Sequence, residues 1–117
     1  MPGGTLEARV ATEISTACEQ IKEDREIRVV VLTSVDQDFC TGLAEGFDPQ
    51  SISPDPATAL SRLKVPIVSL VSGVCSSGGL EMILACDIRI GTPDSCFSLT
   101  EPLNGSLPMW GGTQRLP

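Results

Sequence analysis

Glu81 and Glu101 stand twenty positions apart, each beside backbone suited to face a reacting carbonyl. The first lies in Ser76-Ser77-Gly78-Gly79-Leu80-Glu81, the second in Phe97-Ser98-Leu99-Thr100-Glu101-Pro102. Two carboxyl groups brought together can divide acid and base work, one taking a proton while the other gives one. A glycine turn opening a helix leaves backbone N–H groups unpaired, and Gly78 and Gly79 let a ligand carbonyl approach the main chain closely. Two such donors would make an oxyanion hole, often the largest electrostatic contribution to acyl chemistry. Taken singly, each feature also has a plain reading. The turn serves strand-to-helix geometry, Glu81 complements the helix dipole, and Glu101 is a solvated loop acid. The G-x-G-x-x-G spacing of a dinucleotide site is absent. Glu81 nevertheless sits among Leu80, Met82, Ile83 and Leu84, so it occupies either the single wet face of its helix or a buried position.

Composition narrows the chemistry further. The 117 residues suffice for one domain with one core, and 41% hydrophobic residues fit a globular chain. A net charge of −7 argues against nucleic-acid binding, which needs clustered Lys and Arg. With no histidine, Ser-His and Cys-His nucleophile schemes drop out and acid–base work falls to carboxylates. The five cysteines lack Cys-x-x-Cys spacing, so no metal site is expected, and reduced, mostly buried thiols in a cytoplasmic setting are the expectation. No apolar run reaches the length of a transmembrane helix, so no membrane partner is expected.

The elements that must position these groups can be read in order. Met1 to Gly4 read as a disordered start, and residues 5–117 as the domain. Leu6, Val10, Ile14, Ala17 and Ile21 recur at helical spacing, with Thr5 as N-cap and Glu7 in the first turn. Ile27 to Thr33 is a β-branched run and reads as a buried strand. Ser34 to Pro56 reads as a long loop, with Gly42, Gly46, Pro49, Pro54 and Pro56 as breakers. A short helix is expected over Ala57 to Leu63, a strand over Pro66 to Val71, and a helix from Gly79 to Cys86. Further strands are expected at Asp87 to Gly91 and at Phe97-Ser98. Strand–helix–strand order implies an α/β domain with right-handed crossovers.

Phe39-Cys40-Thr41-Gly42-Leu43, Ser77 to Glu81, Ala85-Cys86-Asp87-Ile88-Arg89-Ile90, Phe97 to Glu101 and Gly111 to Leu116 occur in succession. This order resembles the crotonase, or enoyl-CoA hydratase/isomerase, superfamily. The resemblance implies an α/β ββα-spiral core and a site in which the backbone N–H groups of Leu43 and Gly78 hold a thioester oxygen. It implies that Glu81 and Glu101 flank one water, which adds across the double bond of a 2-enoyl-CoA. It also places Thr41, Gly42, Gly79 and Trp110 at the substrate, with Trp110 packing near the pocket rim and a structural role favoured for it. Coenzyme A enters as part of the substrate, so no separate cofactor is implied. Members that only shift a double bond typically keep the acid at the Glu101 position alone, so both glutamates favour a hydratase. An isomerase and a non-catalytic assembly or binding module are the alternatives.

Two positions depart from the family pattern. Ala44 stands where many members carry aspartate, and Ser77 replaces the first glycine of the usual triplet. Neither removes a catalytic group. The resemblance further implies a strand pair ahead of the first helix and a helical region after Gly-Gly-Thr-Gln-Arg. On that reading the chain is a core truncated at both ends, weak or inactive alone, and the trimers or hexamers of the full-length family are doubtful for it.

Overall fold

The computed structural model describes residues 4–116, and Met1–Gly3 of the expected disordered start lie outside them. The first contact corrects that expectation at Gly4. This residue is buried and its carbonyl accepts the N–H of Thr41 at 2.7 Å. Thr5–Leu6 then form a short strand, β1, rather than a helix entry. Helix α1 spans Ala8–Glu23, with Glu7 as N-cap and no side-chain capping bond. Thr5 therefore does not cap the helix, because its backbone is committed to pairing with Gly42.

The described strands are β2 (Val30–Thr33), β3 (Gly42–Leu43), β4 (Ile67–Val71), β5 (Val74–Ser76), β6 (Ile88–Gly91) and β7 (Cys96–Ser98), alongside β1. All pair in parallel. One layer has the order β2-β4-β6, and the second is assembled from β1-β3 and β5-β7, with Cys40 bridging to Cys75. Successive passes of the chain lay one strand in each layer. The pass through β4 and β5 continues into helix α3 (Gly78–Leu84) before the chain returns through β6 and β7. Helix α2 (Pro56–Ser61) packs against α1 and α3, and α4 (Gly112–Arg115) packs on α3.

Strand β2 is shorter than expected and only half-covered. Val30 and Leu32 turn toward the helices, while Val31 is 54% exposed. The register explains this, since Val31, Val68 and Ile88 share the face opposite the buried Ile67, Ser69 and Val71. Leu70 and Ile90 stand on that same open face. The long loop is also more ordered than its breakers suggest. It contains β3 and a 3-10 turn at Pro49–Ser51, and Pro56 opens α2 with the Asp55 side chain accepting from the Thr58 N–H. Proline at the first helical position is favourable because no N–H is needed there.

Leu6, Phe39, Ile67, Met82, Ile83 and Trp110 are among the most buried side chains and form the core between the layers and helices. Asp87 ties the layers to the helix, accepting the Ile67 N–H at 2.8 Å through Oδ2. Arg89 donates to the carbonyls of Cys86 and Ile83 at the end of α3. Both residues thus have structural tasks. The five cysteines are free thiols, four of them buried.

Candidate functional site

Strand β5 delivers the chain to Ser77, which turns it at φ 53° and ψ −123° into the first turn of α3. The N–H groups of a first helical turn have no partner within the helix, so Gly78 opens α3 as a potential donor. Close packing explains the glycine. A Cβ on Gly78 would lie 2.6 Å from the Trp110 ring and 2.9 Å from Leu43 Cδ2. Leu43, on β3, is therefore the direct neighbour of Gly78, and the two expected oxyanion donors come from residues in contact. A Cβ on Gly79 would collide with the Cys40 side chain, so Gly79 serves packing.

Glu81 follows in the same helix and is 3% exposed. Its Oε2 accepts two backbone donors, the N–H of Trp110 at 2.7 Å and that of Gly112 at 3.0 Å. Burial pushes the Glu81 carboxyl above the usual carboxylate range, and the nearby Glu101 and Asp55 charges push the same way. The two N–H bonds oppose that shift without cancelling it. Glu81 is thus the buried member of the two alternatives its sequence left open.

Glu101 opens a 3-10 turn, Glu101–Asn104, entered from β7 through Thr100. Its Oε1 is buried and has no hydrogen-bond partner among the described residues. A buried acceptor left unpaired costs free energy. Glu101 borders a cleft of about 550 Å³ that is also lined by Thr41, Gly42, Leu43, Ser77 and Thr100.

The structure brings Thr41, Gly42, Leu43 and Glu101 to this cleft, while Gly78, Gly79, Glu81 and Trp110 lie behind its lining. Trp110 has the structural role expected of it, but it lies behind the lining rather than at the rim. It is 2% exposed, its indole N–H donates to the Pro49 carbonyl at 3.0 Å, and its own carbonyl accepts from Arg115 Nη1 at 2.8 Å. The ring is the backing of the glycine turn, since it lies directly against Gly78. Sequence reading missed the opposite wall, Phe47 to Gln50. The Asp48-Pro49 pair carried a signal for it, since Asp48 caps the 3-10 turn by accepting the Gln50 N–H.

Comparison with known proteins places this geometry. The family model described as enoyl-CoA hydratase/isomerase matches residues 2–117. The chain belongs to the enoyl-CoA hydratase/isomerase family. A curated family relative, mouse "Enoyl-CoA hydratase domain-containing protein 2, mitochondrial", is 35% identical over 91% of this chain and 40% of its own length. Among solved structures, the Mycobacterium avium enoyl-CoA hydratase superposes with a TM-score of 0.84 at 34% identity, covering 97% of this chain and 48% of that one. The Bacillus anthracis enoyl-CoA hydratase gives a TM-score of 0.81 at 30% identity, covering 97% and 48%. The chain thus has the crotonase-like fold and spans about two-fifths of the curated relative and half of these solved family members.

Proposed function

We propose that this chain carries the reacting groups of an enoyl-CoA hydratase. The thioester oxygen of a 2-enoyl-CoA lies against the N–H groups of Gly78 and Leu43, and a water sits between Glu81 and Glu101. The water oxygen bonds to C3 as one carboxyl takes its proton, the C2–C3 π electrons move onto the thioester as an enolate, and C2 takes a proton from the other carboxyl. The product is a 3-hydroxyacyl-CoA. The carboxyl pair loses one proton and gains one, so its charge is restored at each turnover. Burial of Glu81 disfavours its charged form. Backbone donors in a water-poor site stabilise the enolate more than solvent would. Leu43 contributes its main chain, so its side chain narrows the acyl path without removing the donor.

The observation that carries this reading is the combination of two glutamates with different surroundings around one glycine turn. Glu81 has one oxygen fixed by two N–H groups, while Glu101 lines the cleft and its buried Oε1 has no partner among the described residues. One observation favours a second reading. Only Glu101 of the two borders the cleft, and a single carboxylate is enough to carry a proton from C2 to C4 of a 3-enoyl thioester. Incubating the protein with crotonyl-CoA and, separately, with 3-hexenoyl-CoA separates the two. Loss of the enoyl absorbance with 3-hydroxyacyl product supports the hydratase, whereas conversion of the 3-enoyl substrate alone supports the isomerase. The open apolar face at Val31, Leu70, Ile88 and Ile90 leads us to expect slow turnover from the 117-residue chain by itself.

A further inference from the structure

Ser77 and Thr100 occupy equivalent places at the entries of the two elements that bear the glutamates. Ser77 is the N-cap of α3, which carries Gly78 and Glu81, and Thr100 is the N-cap of the 3-10 turn that carries Glu101. Serine and threonine at such positions ordinarily accept a hydrogen bond from the N–H two or three residues on. Neither does so here. Their hydroxyls meet each other instead, Oγ to Oγ1, at 2.8 Å. Both residues border the same cleft as Glu101.

Ser77 is also the one non-glycine residue at positive φ among the described residues. Its φ of 53° with ψ −123° suits glycine, and a side chain there strains the backbone. Serine adds a hydroxyl at this point, and that hydroxyl is spent wholly inside the site, since Ser77 is 3% exposed. The Glu101 side chain, by contrast, has no partner on Oε1 among the described residues to hold it. Its position therefore depends on how the start of its turn is anchored.

We infer that the Ser77 and Thr100 hydroxyls form a clasp that positions the Glu101 carboxyl against the glycine turn. Both are positioning residues, acting through Glu101. The inference rests on the hydratase reading for its effect on rate. The backbone bond from the Ser77 N–H to the Ser98 carbonyl at 2.9 Å already joins the two segments, and the hydroxyl pair extends that junction to the residue before Glu101. Small misplacements of a proton-transferring group cost rate steeply, so the clasp acts on kcat more than on KM.

The test is a set of variants assayed with crotonyl-CoA: Ser77→Ala, Ser77→Gly, Thr100→Val, Thr100→Ser and the double change Ser77→Ala with Thr100→Val. Ser77→Gly is expected to raise the melting temperature, because the strain is relieved, while lowering kcat ~10-fold with KM nearly unchanged. Stability and activity then move in opposite directions, which a purely structural role would not produce. Thr100→Val is expected to lose kcat to the same degree, Thr100→Ser to retain it, and the double variant to lose no more than either single one. Unchanged kcat in Ser77→Gly, or additive losses in the double variant, would overturn the clasp. Absence of wild-type turnover on any enoyl thioester overturns the hydratase reading, and the clasp is then judged by amide exchange at Gly105 and Ser106. Their N–H groups close the Glu101 turn onto the Pro102 and Glu101 carbonyls. Faster exchange in Ser77→Ala and Thr100→Val but not in Thr100→Ser supports it, and exchange as slow as wild type in both overturns it.

Discussion

The N–H of Trp110 donates to Oε2 of Glu81 at 2.7 Å, across twenty-nine residues of chain, and with the Gly112 N–H it anchors the Gly111–Arg115 segment to α3. Glu81 thus has a structural task in addition to its proposed chemical one. Glu81→Ala would leave both donors buried and unpaired, at a cost of about 2–4 kcal/mol. Glu81→Gln keeps an acceptor oxygen for them and is expected to unfold within about 1 kcal/mol of wild type. Denaturant unfolding of the two variants measures the contrast.

The raised Glu81 pKa gives a signed pH dependence. Its folded value lies above its unfolded one, so the stabilisation is fully present below the ordinary carboxyl range. It is lost as pH rises through the raised value, when a buried carboxyl must ionise. The wild-type protein should therefore lose stability relative to Glu81→Gln as pH increases over that window. Unfolding free energies of the pair across a pH series would show it, and a constant difference would contradict it.

Gly78→Ala would drive a methyl group into Trp110 and Leu43, with openings of only 2.6 and 2.9 Å. Overpacking at such a site costs about 1–3 kcal/mol and displaces the turn. Thermal unfolding should show the loss, accompanied by weaker thioester binding read by the stabilisation that acyl-CoA ligands give.

Native thiol chemistry should report the core. Burial raises the Cys18, Cys40 and Cys86 thiols and pushes Cys75 up to about 12, whereas Cys96 is exposed. Thiolate is the reactive form, so iodoacetamide at neutral pH is expected to modify Cys96 alone. All five should react in denaturant, and mass spectrometry of the labelled peptides gives the count.

The sequence made the alternation of strands and helices legible wherever apolar runs were long enough to show a period. The α1 stripe and the run at Ile67–Val71 are such cases. Strands β1 and β3, of two residues each, carry no period at all, and their existence depends on pairing between segments thirty-seven residues apart. The burial of Glu81 was foreshadowed by its four apolar neighbours, but its donors, Trp110 and Gly112, lie too far along the chain for any local pattern to name. Ser77 gave no sign of positive φ, because serine has no preference for it. The structural role of Trp110 was legible, but its place behind the turn was not, for a related reason. A large aromatic near a glycine motif suggests a pocket wall, and only packing shows that it backs the turn.

The central claim is that Glu81 and Glu101 act together on one water. It is tested most directly by steady-state hydration of crotonyl-CoA with wild type, Glu81→Gln and Glu101→Gln, since each amide keeps the side-chain shape while removing a titrating group. Both variants are expected to lose kcat by ~100-fold or more with KM changed only a few-fold, as for a general acid–base pair. Full turnover in either variant would contradict the two-carboxylate account.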